Sequence, residues 1–276
     1  MTIIYLYRSL AAFGGVERIF IDKANYLAEH YGYHVYIITW EQGGHSIVYP
    51  LSPKVTHVDW GILFYRQYQY GLFKRMFMQW KMEKEFFKKL SNFVHTTQAD
   101  IVIGASCEFT TMAGMDLLQR KTHTILETHS MRTSIEKNNP PAGNLLMRRA
   151  FKRRDKQLHQ YIKHMSAFVT LTHNDAKDWS DITPQARIIP NMLHRYPAEI
   201  SPDKKTQKRI ITAGRLVEQK GYDLLLDAWS KVHQKHPEWI LDIYGEGEDK
   251  TMLLEKRKNL ALENSVLFHP PTLDIY

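Results

Sequence analysis

Ile210-Ile211-Thr212-Ala213-Gly214-Arg215-Leu216-Val217-Glu218-Gln219-Lys220-Gly221-Tyr222 is the stretch that decides how this chain reads. Its apolar start reads as a buried strand, its middle as a tight turn, and its end as the start of a helix. The turn carries two cations five residues apart, Arg215 and Lys220. At the carboxyl end of a strand both can reach one diphosphate: arginine offers a planar fork of donors and lysine a point charge. The unpaired N–H groups of the following helix would add to the same anion site. The plainer alternative is an ordinary strand–loop–helix with two solvated charges.

Working outward, the alternation continues on both sides. Downstream, residues 222–236 have a helical stripe of Leu225, Leu226, Trp229 and Val232. Residues 239–244 then read as a strand, 248–262 as a helix and 266–268 as a third strand. Upstream, 3–7, 35–39, 55–60, 101–103, 124–127 and 168–172 read as strands. A helix is expected from about Val16, and a long one carries Phe73, Phe77, Trp80, Phe87, Leu90 and Val94 on one side. Strands alternating with helices predict parallel sheets covered by helices on both faces. Residues 194–208, with Tyr196-Pro197, Ser201-Pro202 and Asp203-Lys204-Lys205, read as a linker. The expected organisation is one domain over 1–193 and a second, with fewer strands, over 209–276. Fewer strands would leave a sheet edge near Val266 to Phe268 exposed, and such an edge favours association.

The chain's 276 residues suit two modest domains. One cysteine, Cys107, excludes an intramolecular disulfide and a cysteine-based zinc cluster, and its apolar surroundings make it a small core residue rather than a nucleophile. The apolar start is too short for a secretion signal, and no apolar run reaches membrane-spanning length. A cytoplasmic protein is expected. The net charge of +8 is concentrated in the basic helix 147–163. A solvated face is its plainest reading; peripheral contact with the inner face of the cytoplasmic membrane comes next, ahead of nucleic acid, for which no motif is present.

Other segments that can carry chemistry lie after strands. Gly14 and Gly15 sit in the first strand–helix turn, followed by Glu17, where backbone can approach a ligand closely and a helix N-terminus attracts anions. Gly245-Glu246-Gly247 repeats that device in the second domain. His129 follows a strand, at the edge where open α/β sheets bind ligands, and there it can serve as a general base or polarise a hydroxyl. Ile189-Pro190-Asn191 reads as a turn closing the first domain. No metal-binding motif is present, so neither a metal nor a cofactor is expected.

These segments, in this order, resemble the GT-B retaining glycosyltransferases of family 4. The matching pieces are Gly14-Gly15-Val16-Glu17-Arg18, Glu127-Thr128-His129-Ser130, Ile189-Pro190-Asn191, Gly214-Arg215-Leu216 with Lys220-Gly221, Tyr244-Gly245-Glu246-Gly247, and Phe268-His269-Pro270-Pro271-Thr272. The resemblance implies two Rossmann-like, doubly wound domains facing each other across a cleft. It implies a nucleotide-sugar donor, UDP- or GDP-linked, as substrate and a glycan or lipid-linked acceptor. His129 would contact the sugar at the reacting centre. Arg215, Lys220 and Gly15 would hold the diphosphate, and Gly14, Glu17 and Asn191 would line the cleft beside the sugar. Gly245, Glu246, Gly247 and Pro270 would lie on the nucleoside side. A fixed Arg and Lys stabilise charge where it develops on a leaving diphosphate. The family's glutamate pair falls beyond Tyr276. Little transfer is therefore expected from residues 1–276 alone, and a non-catalytic nucleotide-sugar or glycan-binding module is the alternative reading.

Overall fold

A computed structural model describes residues 1–105, 107–119, 121–132, 145–193 and 208–272. The chain forms two compact units, Met1–Met192 and Leu193–Tyr276. Residues 194–207, most of the segment read as a linker, lie outside the described residues.

In the first unit, β1 (Thr2–Leu6), β2 (His34–Thr39), β3 (Val55–Asp59), β4 (Ile101–Gly104), β5 (His123–Glu127), β6 (Ala167–Thr170) and β7 (Arg187–Ile188) form one parallel sheet in the order β3-β2-β1-β4-β5-β6-β7. The chain builds outward from β1 to β3, then returns to β4 and builds the other way. The direction of winding therefore switches between β1 and β4, and a ligand crevice forms at the carboxyl ends beside such a switch.

The helices are α1 (Gly15–His30), α2 (Leu72–Thr97), α3 (Phe109–Asp116), α4 (Leu145–His164) and α5 (His173–Asp178), with a short 3-10 helix at Phe64–Gln69. Side chains alternate across the strands and feed two cores. Ile3, Tyr5, Val35 and Ile37 pack on Phe20, Ile21 and Ala24 of α1. Ile4, Leu6 and Ile38 pack with Phe86, Leu90 and Val94 of α2. Each such side chain contributes about 1.5–3 kcal/mol by leaving water.

Helix α2 departs from its sequence reading. Only its later part reaches the core, through Met82, Phe86, Leu90 and Val94. Phe73, Phe77 and Trp80, expected on the packed side, are exposed. Helical periodicity records which side is apolar, but the amino-terminal turns of α2 have no core layer beneath them.

The second unit, among its described residues, has a parallel sheet of order β10-β9-β8, built from β8 (Arg209–Ala213), β9 (Ile240–Tyr244) and β10 (Val266–His269). Helices α6 (Tyr222–Lys235) and α7 (Lys250–Asn259) complete it. Leu226 and Trp229 of α6 pack with Leu241, Ile243, Leu253 and Val266, whereas Val232 of the expected stripe is exposed. Strand β8 is not the buried strand its composition suggests. It pairs with β9 alone among the described residues, and Ile210 and Ile211 are exposed. Strand β10 is, as expected, an edge of the described sheet, although the side chain of Val266 itself is buried. No helix among the described residues is long and apolar enough to cross a membrane.

Candidate active site

The carboxyl edge of the first unit's sheet holds a cavity of about 1500 Å³. Its walls come from the segments that follow β1 (Tyr7, Arg8), β2 (Trp40, Glu41), β4 (Cys107, Glu108) and β5 (Thr128, His129). It therefore flanks the β1–β4 switch. Glu17 of α1 lines it, one turn inside the helix that Gly14 and Gly15 open. Arg148, Arg149, Lys152 and Arg154 of the basic helix α4 form another wall. The structure thus brings His129, Glu17 and the glycine turn to one edge. Asn191 follows β7 at the far end of the sheet, is exposed, and does not line the cavity.

His129 is held from behind. Its side chain is only 3% exposed, and Nε2 faces Glu127 Oε2 at 3.4 Å. The same carboxylate oxygen accepts from Lys23 Nζ of α1 at 2.8 Å. Burial alone would raise the Glu127 pKa. The contacts with His129 and Lys23 outweigh it and hold the carboxyl below its usual range. An ionised Glu127 accepts hydrogens only, so in the neutral imidazole Nε2 carries the hydrogen and Nδ1 the lone pair. That Nδ1 is buried and makes no hydrogen bond among the described residues. Nearby, Tyr7 donates its hydroxyl to Glu17 Oε1 at 3.1 Å. Cys107 sits in the cavity wall, and burial pushes its thiol up to about 12, which keeps it protonated and poorly nucleophilic.

The sequence pattern gives Glu127 no role of its own beyond its place in the Glu127-Thr128-His129-Ser130 segment, and it does not mark Lys23. The signal for Glu127 was its spacing: residues i and i+2 of an extended segment share a face. Nothing local marks Lys23, which comes from a segment 104 residues away.

In the second unit, Arg215 and Lys220 follow β8 and are both exposed. Neither side chain makes a hydrogen bond or ion pair among the described residues. The turn between them closes as a 3-10 helix, Glu218–Lys220, capped by Gly221 at φ 66°. That left-handed conformation suits glycine, and α6 starts immediately after it. The Gly245–Gly247 turn after β9 is zipped onto the Arg215 loop. Leu216 N donates to Glu246 O at 2.9 Å, Asp249 N to Leu216 O at 3.0 Å, and Gly214 N to Tyr244 O at 3.0 Å. A Cβ on Gly245 would collide with the Gly214 carbonyl, and one on Gly247 with the Leu216 backbone. The close approach these glycines allow is therefore taken by the chain's own backbone rather than by a ligand. Glu246 pairs with Lys250 at 2.5 Å. Pro270 follows His269, whose carbonyl accepts from Gly245 N at 3.0 Å.

Beneath these loops Asp242 ties the three strands together. It accepts from Arg209 of β8 at 2.8 and 2.7 Å, and its Oδ1 lies 2.7 Å from His269 Nε2 on β10. Burial alone would raise its pKa; the Arg209 and His269 contacts bring it below the usual range. The His269 ring also stacks on Tyr244, with centroids 4.4 Å apart.

Comparison with known proteins agrees with this architecture. Residues 198–274 match the family described as glycosyl transferases group 1. Structural neighbours share the mixed α/β arrangement of parallel sheets, so the fold is that of the GT-B glycosyltransferases; the group 1 match itself spans residues 198–274.

Among individual relatives, the chain is 27% identical over 281 residues to an uncharacterized glycosyltransferase of Haemophilus influenzae, covering 98% of this chain and 69% of that one. It is 42% identical over 85 residues to the amylovoran biosynthesis glycosyltransferase AmsD of Erwinia amylovora, covering 31% of this chain and 23% of AmsD. A crystal structure of a mutant S. aureus TarM in complex with Fondaparinux, alpha-GlcNAc-glycerol and UDP superimposes with a TM-score of 0.68. That match has 12% identity and covers 98% of this chain and 77% of TarM.

Proposed function

We propose that the protein is a retaining glycosyltransferase that moves a hexose-type sugar from a UDP- or GDP-linked donor to a glycan or lipid-linked acceptor. The observation that carries this reading is the pair of exposed cations Arg215 and Lys220, without side-chain partners among the described residues, on one loop of the segment that matches group 1. In the transition state the departing nucleoside diphosphate gains negative charge. Two fixed cations stabilise that charge as it develops and make weaker use of the ground state. His129 stands in the cavity wall beside the sugar while Glu127 and Lys23 hold its ring. The Gly14–Gly15 turn, with Glu17 beside it, lines the sugar's side of the first unit. The amylovoran biosynthesis role printed for AmsD supports glycan assembly as the context. This reading places the protein at the inner face of the cytoplasmic membrane.

The test incubates the protein with a panel of UDP- and GDP-sugars and a glycolipid acceptor fraction. Released nucleoside diphosphate is measured, and the anomeric configuration of the product is read by NMR. Retained configuration, with kcat lowered roughly 100-fold or more in His129→Ala, is the expected result. Donor binding without any transfer would replace this reading with that of a non-catalytic module. Unchanged turnover in His129→Ala would make the histidine structural.

A further inference from the structure

We propose that the amino-terminal half of α2 is a membrane-docking face that enters the headgroup layer of an anionic lipid surface. Leu72, Phe73, Met76, Phe77 and Trp80 are 69%, 88%, 61%, 59% and 51% exposed. They recur at i, i+1, i+4, i+5 and i+8, which puts them on one helical face. Further along the same helix, Met82, Phe86, Leu90 and Val94 are buried. The exposed apolar face thus belongs to the part of α2 that the core does not cover. A contiguous apolar patch of this kind on a soluble protein marks an interaction surface.

Charge selects the occupant. Lys74, Arg75, Lys81, Lys84 and Lys88 accompany the patch, and the first acid of α2 is Glu83. The cations sit against aromatic rings: Lys84 Nζ lies 4.0 Å from the Trp80 ring centroid, and the Arg75 guanidinium 4.2 Å from that of Tyr68. Aromatic and aliphatic side chains mixed with lysine and arginine are the composition that partitions into an anionic interface. A protein partner is disfavoured, because lysine is depleted from protein–protein interfaces. A second copy would bring the same cations face to face across a two-fold axis.

The patch is continuous with the cavity. Tyr65 and Tyr68, both exposed and directly preceding α2, line it, as does Gln79 of α2. A lipid-anchored acceptor would therefore meet the cavity at the level of the headgroups. That consequence depends on the transfer reading; the docking itself does not.

Co-sedimentation with vesicles, without donor or acceptor, tests the proposal. Wild type is expected to bind phosphatidylglycerol/phosphatidylcholine vesicles and to bind pure phosphatidylcholine weakly. The Phe73→Ser, Phe77→Ser, Trp80→Ser variant changes only exposed positions and should keep its near-UV circular dichroism. Its partition coefficient should fall at least about tenfold. Lys74→Glu with Lys81→Glu should abolish the preference for anionic vesicles. Arg148→Ala with Arg149→Ala and Lys152→Ala should leave most of the binding in place. Failure of wild type to bind anionic vesicles overturns the proposal. So does undiminished binding by the serine variant, or a dimer disrupted by the serine substitutions in a protein that ignores vesicles.

Discussion

Glu127 Oε2 lies 3.4 Å from His129 Nε2, and Lys23 of a distant helix meets the same oxygen at 2.8 Å. The histidine is therefore oriented by a carboxylate that is itself neutralised from the far side. Both contacts are largely sheltered from water, with the Glu127 side chain 9% exposed, so removing the charge leaves an ammonium without its counter-ion.

Glu127→Gln should destabilise the first unit by about 1.5–3 kcal/mol, the range for a hydrogen bond to a charged group. It should lower kcat more than it raises KM, because the ring loses its fixed orientation. Urea unfolding and steady-state transfer measure the two effects, and Glu127→Asp should recover part of both. An unfolding midpoint equal to wild type would show that the carboxylate does no structural work.

Arg215→Ala and Lys220→Ala should each weaken nucleoside-diphosphate binding by roughly 10- to 150-fold, the equivalent of about 1.5–3 kcal/mol. Stability should hardly change, since neither side chain has a partner to lose among the described residues. Calorimetry with UDP and GDP reads the affinity, and a thermal melt reads the stability. Unaltered affinity in both variants would remove the diphosphate assignment.

Asp242 makes a pH prediction. Its folded-state pKa lies below the ordinary aspartate value of 3.8. It therefore contributes stability that is fully present above pH 3.8 and is lost as pH falls through the lower folded value. Wild type should exceed Asp242→Asn in unfolding free energy at neutral pH, with the gap closing below pH 3.8. Denaturant titrations across that interval would refute the linkage if the gap stayed constant.

Gly245→Ala and Gly247→Ala should each destabilise the second unit by about 1–3 kcal/mol, because the added methyl group must displace backbone rather than a pliable side chain. Gly15→Ala should be milder, since the space beside Gly15 is open. Differential scanning calorimetry distinguishes the three. Equal melting temperatures for Gly247→Ala and wild type would contradict the packing of this turn.

The sequence by itself determined the βαβ alternation, the parallel sheets and the loops that follow the strands. Those features are local: period-two and period-3.6 patterns, glycine turns and helix starts are all written within about a dozen residues. Arg215 and Lys220 were legible for the same reason, being neighbours on one loop.

Tertiary structure decided what depends on distant segments meeting. It joined Lys23 to Glu127 across 104 residues, and it set Gly214 and Leu216 against the glycines of the next turn. It also left Ile210, Ile211, Phe73 and Phe77 in contact with water. Periodicity states which side of an element is apolar, but burial requires another element to lie on that side. That depends on where the rest of the chain goes, and no local pattern carries the information.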